Sequence, residues 1–213
     1  MIKVCQNGQC LNEGLCKANE TSFSCKCINN FTGPFCNYHE SFPDSTILNT
    51  KKIIDTVYDL TNFKSKTWKL IYKASKDGFR AYDFHLKCDN YSNTFTLIKT
   101  DKSYVFGGYT TQTWNNCGVF GCFKTDKQAF LISLVNFKNV PIKFTLFDEF
   151  SAIYAYSKYG PTFGYGYDLN IADESNINTN SYSKPRSYSI ENINILAGSN
   201  KFKTIDIETY TIN

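Results

Sequence analysis

Cysteine is the residue type whose number and spacing most clearly indicate chemistry in this sequence. Six of the nine cysteines lie within the first 36 residues, in the pattern C-x4-C-x5-C-x8-C-x-C-x8-C. The same segment has few large aliphatic side chains, so a hydrophobic core cannot hold it together. Disulfide bonds, each worth about 2–4 kcal/mol, would supply the missing stability. The pattern alone leaves open which cysteines pair. The six residues are Cys5, Cys10, Cys16, Cys25, Cys27 and Cys36.

Zinc binding is the alternative chemistry for these six cysteines, but the C-x-x-C spacing that zinc sites favour is missing. Paired cysteines persist in oxidising compartments, so we expect the protein to lie outside the cell or on its surface. Three glycosylation sequons, beginning at Asn19, Asn30 and Asn90, would be usable there. Residues 1–5 contain no apolar signal-peptide segment. We therefore expect the sequence to be a fragment of a secreted protein.

Three further cysteines lie later in the chain. Cys117 and Cys122 flank a short loop that a disulfide could close. Cys88 is then unpaired, and its place on the apolar face of a predicted strand favours a buried free thiol. Zinc bound by these three cysteines and His85 is the alternative. However, His85 and Cys88 are three residues apart and would point to opposite faces of a strand. We therefore predict no metal site.

Catalytic residue types are scarce. His39 and His85 are the only histidines, and no G-x-S-x-G motif accompanies a serine. Asp168 and Asp173 lie at the two ends of a predicted strand, where we expect solvated carboxylates and not a catalytic pair. The glycines from 160 to 166 precede that strand, whereas a dinucleotide site needs a helix there. The sequence therefore predicts no enzymatic activity and no cofactor.

Composition excludes other classes of function. The 213 residues suffice for one medium domain and a small module. The net charge of +4 is carried by basic residues scattered among acids, which does not indicate a nucleic-acid partner. The longest mainly apolar run, residues 129–135, is too short to cross a bilayer and fits a strand. The expected partner is a protein of unknown identity.

Residues 68–110 contain the pattern around which the second part of the chain is organised. Four predicted strands cover 68–72, 79–88, 94–100 and 104–106. Asp77-Gly78 between the first two predicts a hairpin. In the predicted strand at 79–88, alternation puts four side chains on one face. These are Tyr82, Phe84, Leu86 and Cys88.

Other elements flank this core. Asp44-Ser45 is a predicted N-cap for a helix with an apolar stripe that includes Ile54 and Val57. Residues 174–186 are polar and predict a long surface loop. Residues 201–212 alternate, which predicts a closing strand.

The cysteine spacing, with the ending Phe31-x-Gly33-x-x-Cys36, resembles an epidermal-growth-factor-like (EGF-like) module. That resemblance implies one pairing of the six cysteines: Cys5–Cys16, Cys10–Cys25 and Cys27–Cys36. Calcium-binding members of the family carry acids just before the first cysteine. This chain has Ile2, Lys3 and Val4 there, so we expect no calcium site.

The rest of the chain resembles the TLDc domain of the oxidation-resistance family. The matching motifs occur in order and include DGF at 77–79, NTFTLIK at 93–99, FGGYT at 106–110 and YGPTFGYGYDLNIAD at 159–173. This resemblance implies an α+β, mainly β fold: a two-sheet antiparallel β-sandwich with a flanking helix. With the EGF-like module, the predicted organisation is 1–36 module, 37–43 linker and 44–213 TLDc domain.

Two functions follow as the main hypotheses, and an enzyme, a hydrolase or an antioxidant activity for which Cys88 would be the first residue to mutate, is the third. The first is a non-enzymatic, extracellular or cell-surface molecule in which the EGF-like spacer presents the sandwich to a protein partner. The second is implied by the resemblance to intracellular TLDc proteins: a regulator of the vacuolar proton pump, or a protein that protects against oxidative stress.

Overall fold

The computed structural model describes residues 5, 8–19 and 22–212, which form two compact units. The first unit extends through Lys69, and the second runs from Leu70 to Ile212. The described chain is mainly β, with two six-stranded antiparallel sheets, few helices and a disulfide-rich N-terminal region. The predicted fold class is confirmed.

Disulfide bonds and two short hairpins build the start of the first unit. Disulfide bonds join Cys5 to Cys16, Cys10 to Cys25 and Cys27 to Cys36, with Cα–Cα distances of 5.9, 5.5 and 5.3 Å. This is the pairing that the EGF-like resemblance implies. Strand β1 (Leu15–Ala18) pairs with β2 (Phe23–Lys26), and β3 (Phe31–Thr32) pairs with β4 (Tyr38–His39).

The first helix begins later than predicted. Helix α1 (Lys51–Thr61) has Thr50 as its N-cap, with the Thr50 hydroxyl accepting from the Ile53 N–H. Ser45 instead accepts from the Leu48 N–H at 2.8 Å in a separate turn. The predicted cap was wrong because serine closes turns by the same local hydrogen bond that it makes at a helix start. A 3-10 helix (Phe63–Ser65) follows α1.

The cysteine-rich segment and α1 pack together within the first unit. The Asn12 amide donates to the carbonyls of Cys36 and Asn49 at 2.8 and 3.1 Å, and the Lys51 N–H donates to Asn12 Oδ1 at 3.2 Å. The stretch predicted as a linker contains β4 and the buried Phe42, whose ring stacks on Trp68 at 6.0 Å. Residues 37–43 are therefore part of the packed unit.

The first large sheet contains the most buried strands of the second unit. Its order is β10-β9-β7-β6-β16-β5. The strands are β5 (Trp68–Lys73), β6 (Thr94–Thr100), β7 (Val105–Thr110), β9 (Phe130–Val135), β10 (Ile142–Thr145) and β16 (Thr204–Ile212). The central pair, β6 and β16, is buried along most of its length, so both of its faces are covered.

The second large sheet has shorter strands in the order β15-β14-β13-β12-β11-β8. They are β8 (Cys122–Lys124), β11 (Ile153–Ala155), β12 (Thr162–Phe163), β13 (Leu169–Asn170), β14 (Ser181–Tyr182) and β15 (Lys201–Phe202). Phe202 meets Phe106 of the first sheet at 5.3 Å between ring centroids, so the inner faces of the two sheets share one core. The predicted surface loop at 174–186 contains β14 and the buried Ser183, so it is only partly a loop.

The predicted strand at 79–88 is wrong. The chain instead forms α2 (Ala74–Asp77) and α3 (Ala81–Cys88). Phe84 and Cys88 are buried four residues apart, whereas Tyr82 and Leu86 are 63% and 65% exposed. Alternating apolar residues at 82, 84, 86 and 88 imitated a strand, but burial follows the helical period. None of the helices in the described part of the chain is long and apolar enough to cross a bilayer.

Candidate functional site

A row of side chains crosses the outer face of the second sheet. Tyr182 lies opposite both Asn170 and Lys201, and Asn170 lies opposite Thr162. Tyr154 lies opposite Phe123 on the edge strand. Their chain neighbours Phe163, Ile153 and Phe202 are buried in the shared core. Because side chains alternate between faces, this row points away from the core.

Seven aromatic side chains, which we call the tyrosine face, form a continuous surface along this row. The Tyr167 ring lies 5.2 Å from Tyr154 and 5.8 Å from Tyr159, measured between centroids. Phe123 lies 4.8 Å from Tyr154 and 5.4 Å from Tyr165. These tilted and edge-on contacts are the geometries that aromatic pairs prefer. The members are Phe123, Tyr154, Tyr156, Tyr159, Tyr165, Tyr167 and Tyr182, and all are partly or fully exposed.

Tyr167 at the centre of the face has an unusual backbone. Its φ of 68° lies in the left-handed region, as do those of Gly164 and Gly166. A bulky residue in this region costs about 1–3 kcal/mol and persists only when its surroundings hold it. The ring reaches both Tyr154 and Tyr182, which flank Thr162 and Asn170 in the row. The strained turn therefore places the central ring in contact with rings on both sides of Thr162 and Asn170, which are themselves buried.

A buried carboxylate holds that turn. Asp168 has no exposed surface, and its Oδ1 accepts from the N–H groups of Arg186, Ser187 and Tyr188 at 2.8, 2.9 and 2.8 Å. Burial raises the pKa of Asp168, and these N–H donors act in the opposite direction. Asp168 was predicted to be solvated, which is wrong. Its partners lie 18 to 20 residues away, so no local pattern marks it as buried.

Asp173 has a different role. It is exposed, and its Oδ1 accepts from the Ala81 N–H at 2.7 Å, at the first residue of α3. A carboxylate at this position satisfies an N–H that the helix itself leaves unpaired. The two acids therefore stabilise separate segments of the backbone.

His85 anchors another part of the tyrosine face. Its Nε2 lies 3.0 Å from the carbonyl oxygens of both Tyr156 and Tyr159, and its Nδ1 lies 2.6 Å from Asp89 Oδ1. Carbonyl and carboxylate oxygens accept hydrogen bonds, so this geometry favours an imidazole that carries a proton on each ring nitrogen. Burial lowers the pKa of His85, but Asp89 and the two carbonyls raise it further, to above the ordinary value of 6.5. His85 thus ties the turn that carries Tyr156 and Tyr159 to α3.

The cysteines of the second unit do not form a metal site. Cys117 and Cys122 are bonded to each other, with a Cα–Cα distance of 5.6 Å. Cys88 is a buried free thiol, and burial raises its pKa well above the usual value, so the thiol stays protonated. Over the ranges 8–19 and 22–212 and at Cys5, no three His, Cys, Asp or Glu side chains converge on a possible metal position.

Exposed apolar side chains extend the tyrosine face beyond the sheet edge. Val119 and Phe120, in the loop closed by the 117–122 disulfide, are 83% and 78% exposed. The Tyr154 hydroxyl donates to the Phe120 carbonyl, which joins this loop to the face. Phe147 and Phe150 are 77% and 70% exposed. Large apolar side chains with this much exposed surface are candidates for contact with a partner.

Positive charge borders the Tyr182 end of the tyrosine face. Lys201 lies opposite Tyr182 on the same face, and the Arg186 side chain lies against Gly166. Lys184 is exposed, and its backbone N–H donates to the Tyr167 carbonyl at 3.1 Å. Asp168, which follows Tyr167 in sequence, is buried on backbone N–H groups. Three cationic residues therefore lie at this end of the face.

The tyrosine face was missed at the level of sequence. Tyr154 and Tyr156, and then Tyr165 and Tyr167, recur at intervals of two. That interval places side chains on one side of an extended chain. The sequon residues Asn19, Asn30 and Asn90 are all exposed, so each is accessible to a bulky modification.

Replacing Asp168 tests its role. Asp168→Asn removes the charge and turns an NH2 group toward backbone donors, so we expect the free energy of unfolding to fall by about 2–3 kcal/mol. Asp173→Asn is the matched control, because an exposed amide oxygen can still accept from Ala81; its cost should be under about 1 kcal/mol. Chemical denaturation measures both. Equal losses in the two variants would contradict the assignment.

The protonation of His85 predicts a pH dependence. A folded-state pKa above 6.5 means that the contribution of His85 to stability is complete below that pH and is lost as the pH rises through the folded value. NMR titration should find the His85 ring above 6.5 and the His39 ring below it, because burial lowers the pKa of His39. His39→Gln assigns the two signals. A His85 ring that titrates below 6.5 would overturn the charged-anchor interpretation.

Comparison with known protein families finds a match, and comparison with curated proteins found none. A model of the TLDc domain matches residues 42–213, which is more than half of the chain. This family is associated with protection against oxidative stress. The chain belongs to the TLDc domain family.

Proposed function

We propose that this chain is a non-enzymatic contact protein of the cell exterior and that the tyrosine face binds its protein partner. The observation that carries the proposal is the exposed aromatic surface on a sheet held by a buried carboxylate and a charged histidine. The disulfide bonds support the location, because such bonds persist in oxidising compartments. The EGF-like segment serves as the spacer.

The chemistry of the tyrosine face suits a protein partner. Tyrosine presents a large apolar ring at low cost in side-chain entropy and keeps a hydroxyl for hydrogen bonding, which is why it is enriched in interfaces. Six strands at about 4.8 Å spacing give the row a length of roughly 24 Å. This span is comparable to the side of a standard interface, which covers about 800 Å² on each partner. The cations at its border favour a partner with acidic side chains around an apolar centre.

The absence of catalysis remains part of the proposal, and the state of the reactive groups supports it. Both ring nitrogens of His85 face oxygen acceptors of the protein itself. The Cys88 thiol is buried and stays protonated. Asp168 is held by backbone N–H groups. Each group is engaged in holding the fold.

A second function is favoured by family membership alone. Intracellular TLDc proteins suggest a regulator of the vacuolar proton pump or a protein that protects against oxidative stress. A reducing cytosol would open the disulfides on which the first unit depends, which weighs against this alternative.

Binding to intact cells tests the proposal. Full-length protein secreted through the oxidising pathway should bind the surface of the cells that make it, and pre-treating those cells with trypsin should abolish binding. Tyr165→Ser removes a ring that is 52% exposed, and we expect roughly tenfold weaker binding. Tyr82→Ser is the matched control, since Tyr82 is 63% exposed on α3, outside the tyrosine face.

Two results would contradict the proposal. Equal binding by both variants would exclude the tyrosine face as the contact surface. Recovery of folded, reduced protein on purified pump subunits, with no binding to cells, would favour the intracellular alternative.

A further inference from the structure

A groove of about 830 Å³ lies in the first unit between α1 and the turn that joins β2 to β3. Ile54, which is almost fully buried, and the half-buried Tyr58 supply its apolar wall. Asp59, Asn62 and Lys64 contribute hydrogen-bonding groups from the end of the helix and beyond. The groove therefore combines one apolar side with a rim of donors and acceptors.

Asn30 lines this groove and is the first residue of the sequon Asn30-Phe31-Thr32. Asn30 and Thr32 are exposed, whereas Phe31 is 4% exposed and packs edge-on against His39 at 5.0 Å. The Asn30 carbonyl accepts from the Glu40 N–H at 2.9 Å, which fixes its backbone. The attachment point of the sequon is therefore held at the border of the groove.

The groove matches the surface of a sugar. The C–H face of a hexose ring is apolar and packs on an aromatic ring, and Tyr58 offers one beside His39 and Phe42, at 6.3 and 6.4 Å. Hydroxyl and N-acetyl groups need both donors and acceptors, which Asp59 and Asn62 supply. The acids are offset by Lys51, paired with Asp55, and by Lys64, so a neutral occupant suits the groove. A tethered occupant also has a high effective concentration.

We propose that an N-linked glycan is attached to Asn30 and that its first N-acetylglucosamine residues lie in this groove, between the cysteine-rich segment and α1. Attachment occurs in the secretory pathway, so this inference rests on the proposed function. In that reaction Asn30 Nδ2 forms a bond to C1 of the first sugar, a lipid-linked diphosphate leaves from the same carbon, and the amide gives up one proton. The bound sugars then cover the apolar wall of the groove and stabilise the packing of α1.

Hydrogen exchange of the secreted, full-length protein tests this inference. Asn30→Gln removes the glycan, and we expect exchange in α1 to become roughly fivefold faster or more. Asn90→Gln is the matched control, because Asn90 lies in an exposed turn after α3. Loss of the Asn90 glycan should leave hydrogen exchange in α1 unchanged. On the folded wild type, a glycosidase should release the Asn90 glycan before the Asn30 glycan.

A second variant separates the effect of losing the glycan from the effect of changing the Asn30 side chain itself. Tyr58→Ser removes the stacking surface but keeps the sequon, so adding Asn30→Gln to it should produce little further change in α1 exchange. If Tyr58→Ser fails to fold, the comparison of Asn30→Gln with Asn90→Gln decides alone. Additive effects in a folded double variant would overturn the inference.

Mass spectrometry of each sequon distinguishes a failure of the Asn30 inference from a failure of the proposed function. Asn30 unoccupied, with sugars present at Asn19 or Asn90, would overturn the inference and leave the proposed function standing. No sugar at any sequon, together with free thiols, would overturn the proposed function itself. An occupied Asn30 whose removal changes α1 no more than Asn90→Gln would also overturn the inference.

Discussion

The arrangement of the tyrosine face depends on one buried carboxylate. Asp168 is fully enclosed, and an ion in that position is tolerated only when donors surround it. Backbone N–H groups of three successive residues, 186 to 188, provide those donors and are themselves satisfied by it. This side chain therefore strengthens the link between two segments that the hydrogen bond from the Lys184 N–H to the Tyr167 carbonyl also joins. The left-handed Tyr167 next to it is held at a backbone angle that it would not adopt alone.

His85 acts similarly on the β11–β12 side of the face. A charged imidazole between Asp89 and two backbone carbonyls holds the turn that carries Tyr156 and Tyr159. Asp168 is surrounded by backbone N–H groups, which can only donate hydrogen bonds. His85 is surrounded by carbonyl and carboxylate oxygens, which accept them. Charged groups with this many partners rigidify a surface and are poor acids or bases. The aromatic side chains between them are thereby held in place, and a surface held in this way loses less entropy when it associates.

The two units are stabilised by different means. In the second unit, large buried rings such as Phe106, Trp114 and Phe163 fill a core between two sheets. In the cysteine-rich part of the first unit, Leu11, Leu15 and Phe35 are exposed, so cross-links replace burial. The cross-links of the cysteine-rich segment form and persist under oxidising conditions.

Sequence patterns predicted the parts of the fold that depend on neighbouring residues, such as individual strands and turns. Alternation and turns located β6 and β7, and motifs resembling a known family implied the two-sheet architecture. The error at 79–88 arose because apolar residues alternate there as in a strand, although Asp83 accepts from the Arg80 N–H at the start of α3 and Asp173 supports that start from 92 residues away. The burial of Asp168 was missed because its partners lie 18 to 20 residues away. The tyrosine face required strand order as well, because Tyr182 and Tyr154 come from strands that only the fold places in one sheet.

Peptide mapping of the non-reduced protein, recovered from the cells that make it, tests whether the cysteines are paired in the native molecule. We expect the bonds Cys5–Cys16, Cys10–Cys25, Cys27–Cys36 and Cys117–Cys122, with Cys88 as the free thiol. Nine free thiols in a folded, functional protein would contradict this pairing, because the first unit would then be stable without the cross-links that require an oxidising exterior.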